Sequence, residues 1–226
     1  MSSPHPLDRP VWSALNGRQS HLAVRRGGAV RFDPQFGMFA AVDDAPESLA
    51  ALGALISELG EVALVEPGPA PGVPGTVVKS TAVCWQMVAE GFEAPPPAQP
   101  AEAMAGADAA EMLALATLTK PGPFFTRTNE LGRFVGVRSG GTLVAMAGER
   151  MKPPGFIEVS GVCTHPDHRG HGYAAALMRQ VAVRIAAEGE TPFLHSYADN
   201  AGAIGLYERL GFRLRREMIM TVLAPA

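Results

Sequence analysis

The run His165-Pro166-Asp167-His168-Arg169-Gly170-His171-Gly172-Tyr173-Ala174 carries the residue types needed to hold a phosphate. It follows an apolar, strand-like stretch from Gly155 to Thr164 and opens a helix-forming one from Ala174 to Glu188. The first N–H groups of a helix have no intrahelical partner, and the helix dipole adds positive potential there. Gly170 and Gly172 let the main chain approach an oxyanion and accept positive φ, and Arg169 adds a charged donor at the rim.

Several phosphate ligands are possible for such a turn. The P-loop string of Gly, four residues, Gly, Lys and Ser or Thr is absent. A dinucleotide fingerprint asks for a third glycine, where this chain has alanine. The spelling Arg169, Gly172, Ala174, preceded by His165-Pro166-Asp167, is more specific. It resembles the coenzyme A pyrophosphate loop of the GNAT superfamily of acetyltransferases. Downstream, Pro192 to Ala198 reads as a short strand, followed by Asn200, Ala203, Tyr207 and Gly211-Phe212 at the spacing of that family's second signature. Asp199 or Asn200 is a natural N-cap for the intervening helix, and Gly211 a natural left-handed stop.

The resemblance implies acetyl-CoA as donor cosubstrate and direct transfer of its acetyl group to an amine. It assigns the pyrophosphate to Arg169, Gly170, His171, Gly172, Tyr173 and Ala174, with His168 and His171 beside the phosphates. The thioester carbonyl falls to main-chain N–H groups of Val162, Cys163 and Thr164, with Gly161 marking a bulge just upstream. Asn200 would bond the pantetheine arm or cap its helix, beside Ala203. Tyr207 matches the general acid; a phenol with a pKa near 10 stays protonated at neutral pH and can donate to the departing thiolate. Glu158 is the leading candidate for the base, directly or through water, with His195 and Glu149 behind it. Transfer of a longer acyl group, or a silent coenzyme A sensor, are the alternatives. No metal is expected, because His165, His168 and His171 sit in a loop that would turn their rings different ways.

Composition narrows the partners. A formal charge of −3, with no long basic run, argues against nucleic acid or an anionic membrane as the main partner but is too small to choose an acceptor; the small-molecule or peptide amine is what the resemblance implies. Cys84 and Cys163 read as buried free thiols of a reducing cytosol, with no activating neighbour for an acyl-enzyme. The first residues lack the apolar core of a signal peptide, so a cytoplasmic monomer or homodimer is expected.

The elements that must position these residues follow from hydrophobic period and breakers. Residues 1–92 read as a smaller α/β domain without a coenzyme loop, compatible with a degenerate GNAT-like half as in relatives resembling glycine N-acyltransferases. A helix is expected from Ser48 to Leu59 and strands at His21 to Arg25, Val62 to Val65 and Val83 to Val88, with a hairpin turn at Gly27-Gly28. Residues 93–106, rich in proline and alanine, read as a linker. Residues 107–226 read as a GNAT domain of α/β (α+β) class. There a helix from Ala107 to Leu118 precedes a hairpin at Arg133 to Ala147, two strand–helix units and a final strand from Arg213 to Leu223.

Overall fold

The computed structural model describes residues 5–43, 45–93 and 101–226; residues 94–100 of the expected linker lie outside them. In chain order the elements are α1 (Pro10–Leu15), β1 (Ala23–Arg26), β2 (Ala29–Phe32), β3 (Phe39–Val42), α2 (Pro46–Leu59), β4 (Val62–Glu66) and β5 (Thr76–Val88). They continue with β6 (Glu102–Ala103), α3 (Ala109–Thr119), β7 (Val135–Ser139), β8 (Thr142–Glu149), β9 (Phe156–Thr164) and α4 (Tyr173–Ala187). The last three are β10 (Thr191–Tyr197), α5 (Ala201–Arg209) and β11 (Arg213–Pro225).

Among the described residues the strands form a single 11-stranded sheet in the order β1-β2-β3-β4-β11-β5-β10-β9-β8-β7-β6. The order has a near-mirror plan. On one side β3 and β4 are parallel, joined through α2; on the other β9 and β10 are parallel, joined through α4. At the centre the two halves exchange their final strands. β5, from before the expected linker, pairs with β10, and β11, from after it, pairs with β4; the two also pair with each other.

The helices form where the sequence places them for legible reasons. α2 starts at Pro46, whose missing N–H costs nothing at a first helical position, and stops at Gly60 with φ +83°. Its Leu52, Leu55 and Ile56 are buried against Ala40, Val42, Val62 and Leu64. α4 buries Leu177, Met178, Val181 and Ile185 at helical spacing against Ala145, Ile157, Val159, Leu194 and Phe212. Each such side chain contributes about 1.5–3 kcal/mol by leaving water.

Three expectations shift. β3 was not anticipated: its four residues Phe39-Ala40-Ala41-Val42 are buried on both faces and show no alternation. β5 begins at Thr76 rather than Val83; its first seven residues are mostly exposed, Val77 and Val78 among them, so they show no alternation of buried and exposed positions. Where a linker was expected, Glu102–Ala103 pair antiparallel with β7, and Ala101 donates its N–H to Gln180 Oε1 on α4 at 2.9 Å.

The functional geometry starts where β9 and β10 part. They pair only through Phe156–Glu158 and Thr191–Phe193. Beyond that point β9 follows β8, and β10 follows β5 from Phe193↔Val88 to Tyr197↔Cys84. The two strands therefore splay, and the gap between them is the floor of the site.

Candidate active site

Gly161 helps set the β9 side of the gap. Met146 pairs with Cys163 and Gly148 with Ser160, so two β9 residues, Gly161 and Val162, face one β8 residue. This is a bulge, with Gly161 at φ +64°. A Cβ added there would lie 2.9 Å from Phe134, so both conformation and space require glycine. Gly161→Ala should cost about 1–3 kcal/mol. Urea unfolding should show a lower midpoint at unchanged slope; an unchanged midpoint would remove the bulge from the list of constraints.

Beyond the bulge, Val162, Cys163 and Thr164 line a cleft of about 740 Å³. The same cleft is walled by His168 to Ala175, by Asn200, Gly202, Ala203, Leu206 and Tyr207, and by Thr119-Lys120-Pro121 at the end of α3. Gly170 and Gly172 adopt φ +82° and +76°, with Gly172 as the N-cap of α4. A Cβ built on either meets nothing within 4 Å, so their main chain faces open space at a helix N-terminus. That cradle fits the pyrophosphate of coenzyme A. His165 Nδ1 accepts from the Asp167 N–H and its ring packs edge-on against that of His168, 5.7 Å between centroids, while His171 stacks on Tyr173 with centroids 5.5 Å apart. Among the described residues no three His, Cys, Asp or Glu side chains gather as a metal site.

A second, smaller pocket of about 100 Å³ adjoins β10 and α5. Phe39, Val65, Met220, Arg150, His195 and Tyr197 are among its walls. It shares Pro121, Asn200 and Tyr207 with the cleft, so these three stand at the junction of the two spaces. Asn200 Oδ1 accepts the Ala203 N–H at 3.2 Å, capping α5 as its position suggested. Burial raises the Tyr207 phenol above its ordinary value, so it keeps its proton at neutral pH.

Glu158 is brought to this pocket but not onto its surface. It is 0% exposed and lines neither space. Arg150 donates to it through Nε at 2.8 Å and Nη2 at 2.7 Å, and Met151 through its N–H at 3.3 Å. Burial alone would raise this carboxyl; the Arg150 guanidinium and the His195 ring outweigh it and hold it down at about 2. His195 Nδ1 lies 2.7 Å from Glu158 Oε1, and its Nε2 lies 3.1 Å from Gln86 Nε2. Gln86 is fixed by donating to the Leu7 carbonyl and accepting from Arg215 Nη1, which leaves an N–H for the ring. The tautomer with hydrogen on Nδ1 satisfies every partner.

Glu149 belongs elsewhere. It is fully buried and accepts from Arg184 Nη2 at 2.8 Å, Lys152 Nζ at 3.0 Å and Arg133 Nη2 at 3.2 Å, away from both spaces. Cys84 and Cys163 are buried free thiols, each pushed up to about 11 by burial, so neither offers a thiolate. Sequence reasoning missed Arg150, Phe39, Val65 and the Thr119-Lys120-Pro121 corner. Arg150 had a signal, a cation just past a strand that pairs with the strand carrying Glu158. The others come from elements remote in sequence and had none.

Comparison with known proteins fits this geometry. The family of FR47-like proteins matches residues 134–220. The N-alpha-acetyltransferase RimI of Mycobacterium tuberculosis is 37% identical over 83 residues, 35% of this chain; the match spans about half of that relative (51%). The crystal structure of a GNAT-family protein from Novosphingobium aromaticivorans is 50% identical, covers 99% of this chain and 100% of its own, and superposes with a TM-score of 0.92. A GCN5-related N-acetyltransferase from Kribbella flavida, 20% identical over 95% of this chain and 94% of its own, shares the fold at a TM-score of 0.60. With its coenzyme-type cradle, its splayed strands and a full-length relative at that identity, the chain belongs to the GNAT superfamily of acetyltransferases.

Proposed function

We propose that the protein is an acetyl-CoA-dependent N-acetyltransferase that passes the acetyl group directly to an amine. The observation that carries this reading is the junction at Tyr207: a cleft whose glycine loop suits a phosphorylated coenzyme borders there on a small second pocket. When bound, acetyl-CoA supplies the activated thioester. Main-chain N–H groups within Val162 to Thr164 that turn away from β8 towards the gap are assigned to its carbonyl oxygen. The amine nitrogen attacks that carbonyl carbon, the carbon–sulfur bond breaks as Tyr207 donates its proton to the thiolate, and the extra proton on the new amide nitrogen leaves to solvent, from which the tyrosinate regains its own.

His195 offers no spare lone pair, since Nδ1 faces Glu158 and Nε2 takes the Gln86 amide hydrogen. The ammonium proton therefore leaves to water in the open pocket, and Glu158 acts by holding Arg150 and His195 in place rather than as a base facing the acceptor. The roles of the two halves divide accordingly. Residues 107–226 supply the coenzyme cleft, while Phe39 and Val65 from residues 1–92 supply part of the acceptor wall. The two buried free thiols support a reducing, cytoplasmic setting.

Acetyl-CoA turnover across a panel of amines, read by free thiol release, tests the reading; acetyl-CoA binding without transfer to any amine would favour a sensor instead. Gly172→Val, which forces a β-branched residue to φ +76°, should weaken acetyl-CoA at least tenfold by calorimetry. Unchanged affinity would move the coenzyme off this loop.

A further inference from the structure

We infer that Arg150 is a carboxylate-recognition residue, and that the acceptor is a short amino acid or another small amino carboxylate. The inference rests on reading the smaller pocket as the acceptor site. Three features of Arg150 point to it. Its Nε and Nη2 edge is engaged by both oxygens of Glu158. The Phe39 ring lies against one face of its guanidinium, 4.6 Å from Cζ to the ring centroid. Its Nη1 makes no hydrogen bond among the described residues, yet no buried side-chain nitrogen or oxygen there lacks a partner. Nη1 is therefore accessible, and Arg150 lines the pocket. A guanidinium pinned on one edge and one face, with donors left over, is a pre-organised receptor for a planar anion.

The chemistry of the surroundings narrows that anion. Glu158 already balances the charge of Arg150. A dianion such as a phosphate would add uncompensated charge in a half-enclosed space, whereas a zwitterion brings none. The pocket is about 100 Å³ and its other walls include Phe39, Val65 and Met220, which suits a short hydrocarbon between the amine and the carboxylate. Arg150 and Tyr207 line the same pocket, and on this reading the amine meets the thioester at the Tyr207 junction.

The test compares matched acceptors that differ only in the carboxylate: glycine against glycinamide, and β-alanine against β-alaninamide, each with acetyl-CoA. The amides have the more readily deprotonated amines, so a preference for the acids opposes intrinsic reactivity. The acids should show at least tenfold higher kcat/KM, and Arg150→Lys, which keeps a cation beside Glu158, should shrink that ratio about tenfold. In parallel, calorimetry with N-acetylglycine and N-acetylglycinamide on the coenzyme A-loaded protein reads the carboxylate site without turnover. Transfer to amides as fast as to acids overturns the inference and leaves the acetyltransferase reading standing. Binding of N-acetylglycine but not its amide, with no transfer to any amine, supports the carboxylate site and overturns the activity. Should Arg150→Lys fail to fold, the wild-type ratio and the binding pair still decide.

Discussion

Tyr207→Phe is expected to lower kcat by about 10²–10⁴-fold, the range general acid catalysis supplies, with little change in acetyl-CoA affinity. The substitution removes one oxygen from a ring that packs against Phe212, with centroids 6.4 Å apart, so the fold and cleft should survive. Because burial raises the phenol, the acid form persists through the alkaline range where amines lose their own protons. In the wild-type enzyme kcat/KM should therefore climb with pH along each acceptor's own titration. A rising limb with the same pKa for every acceptor would report an enzyme base and restore that role to the Glu158–His195 pair. Single-turnover rates settle the tyrosine itself: a variant with the wild-type rate reduces Tyr207 to packing.

Glu158→Ala should lower stability by about 3–5 kcal/mol, because it strands the Arg150 cation and the His195 Nδ1–H without their buried partner. In a chain of this size the melting temperature should fall by about 10 °C. The wild-type acid response carries the same signature. The folded carboxyl titrates at about 2 against an ordinary 4.5, so its contribution is complete above about pH 5 and is lost as pH falls through 4.5 towards 2. Glu158→Gln should flatten that part of the stability profile. Thermal melts from pH 2 to 7 check it, and parallel profiles for the two proteins would show that the pairing adds nothing.

Much of this was legible because the coenzyme half is written in local signals. Gly170, Gly172, Asn200 and Gly211 each mark a conformation that only a few residue types adopt, so loop, cap and stop could be placed from spacing. The acceptor pocket resisted for the opposite reason. Phe39, Val65, Arg150 and Met220 come from β3, β4, the end of β8 and β11, and their meeting depends on strand order, which no short window encodes. Glu158 was found by its place on β9, but its burial was not, since a polar residue in an alternating strand reads as solvated until its partners are known. Arg150 completes that pair and was legible only across the β8–β9 hairpin.

The exchange of β5 and β11 at the centre of the sheet has a kinetic consequence. The exposed edge of β4 waits for residues 213–225, synthesised far later, before its backbone donors and acceptors find partners. Once β5 docks on β10, the ladder that joins the two halves is complete only when β11 slots between β4 and β5. Closing loops of that span is slow, and an unpaired strand edge held open in the interim invites intermolecular pairing. The smaller pocket, which takes Met220 from β11 and Phe39 and Val65 from β3 and β4, therefore closes only with this last strand, and a lesion in β11 should show first as poor yield of folded protein.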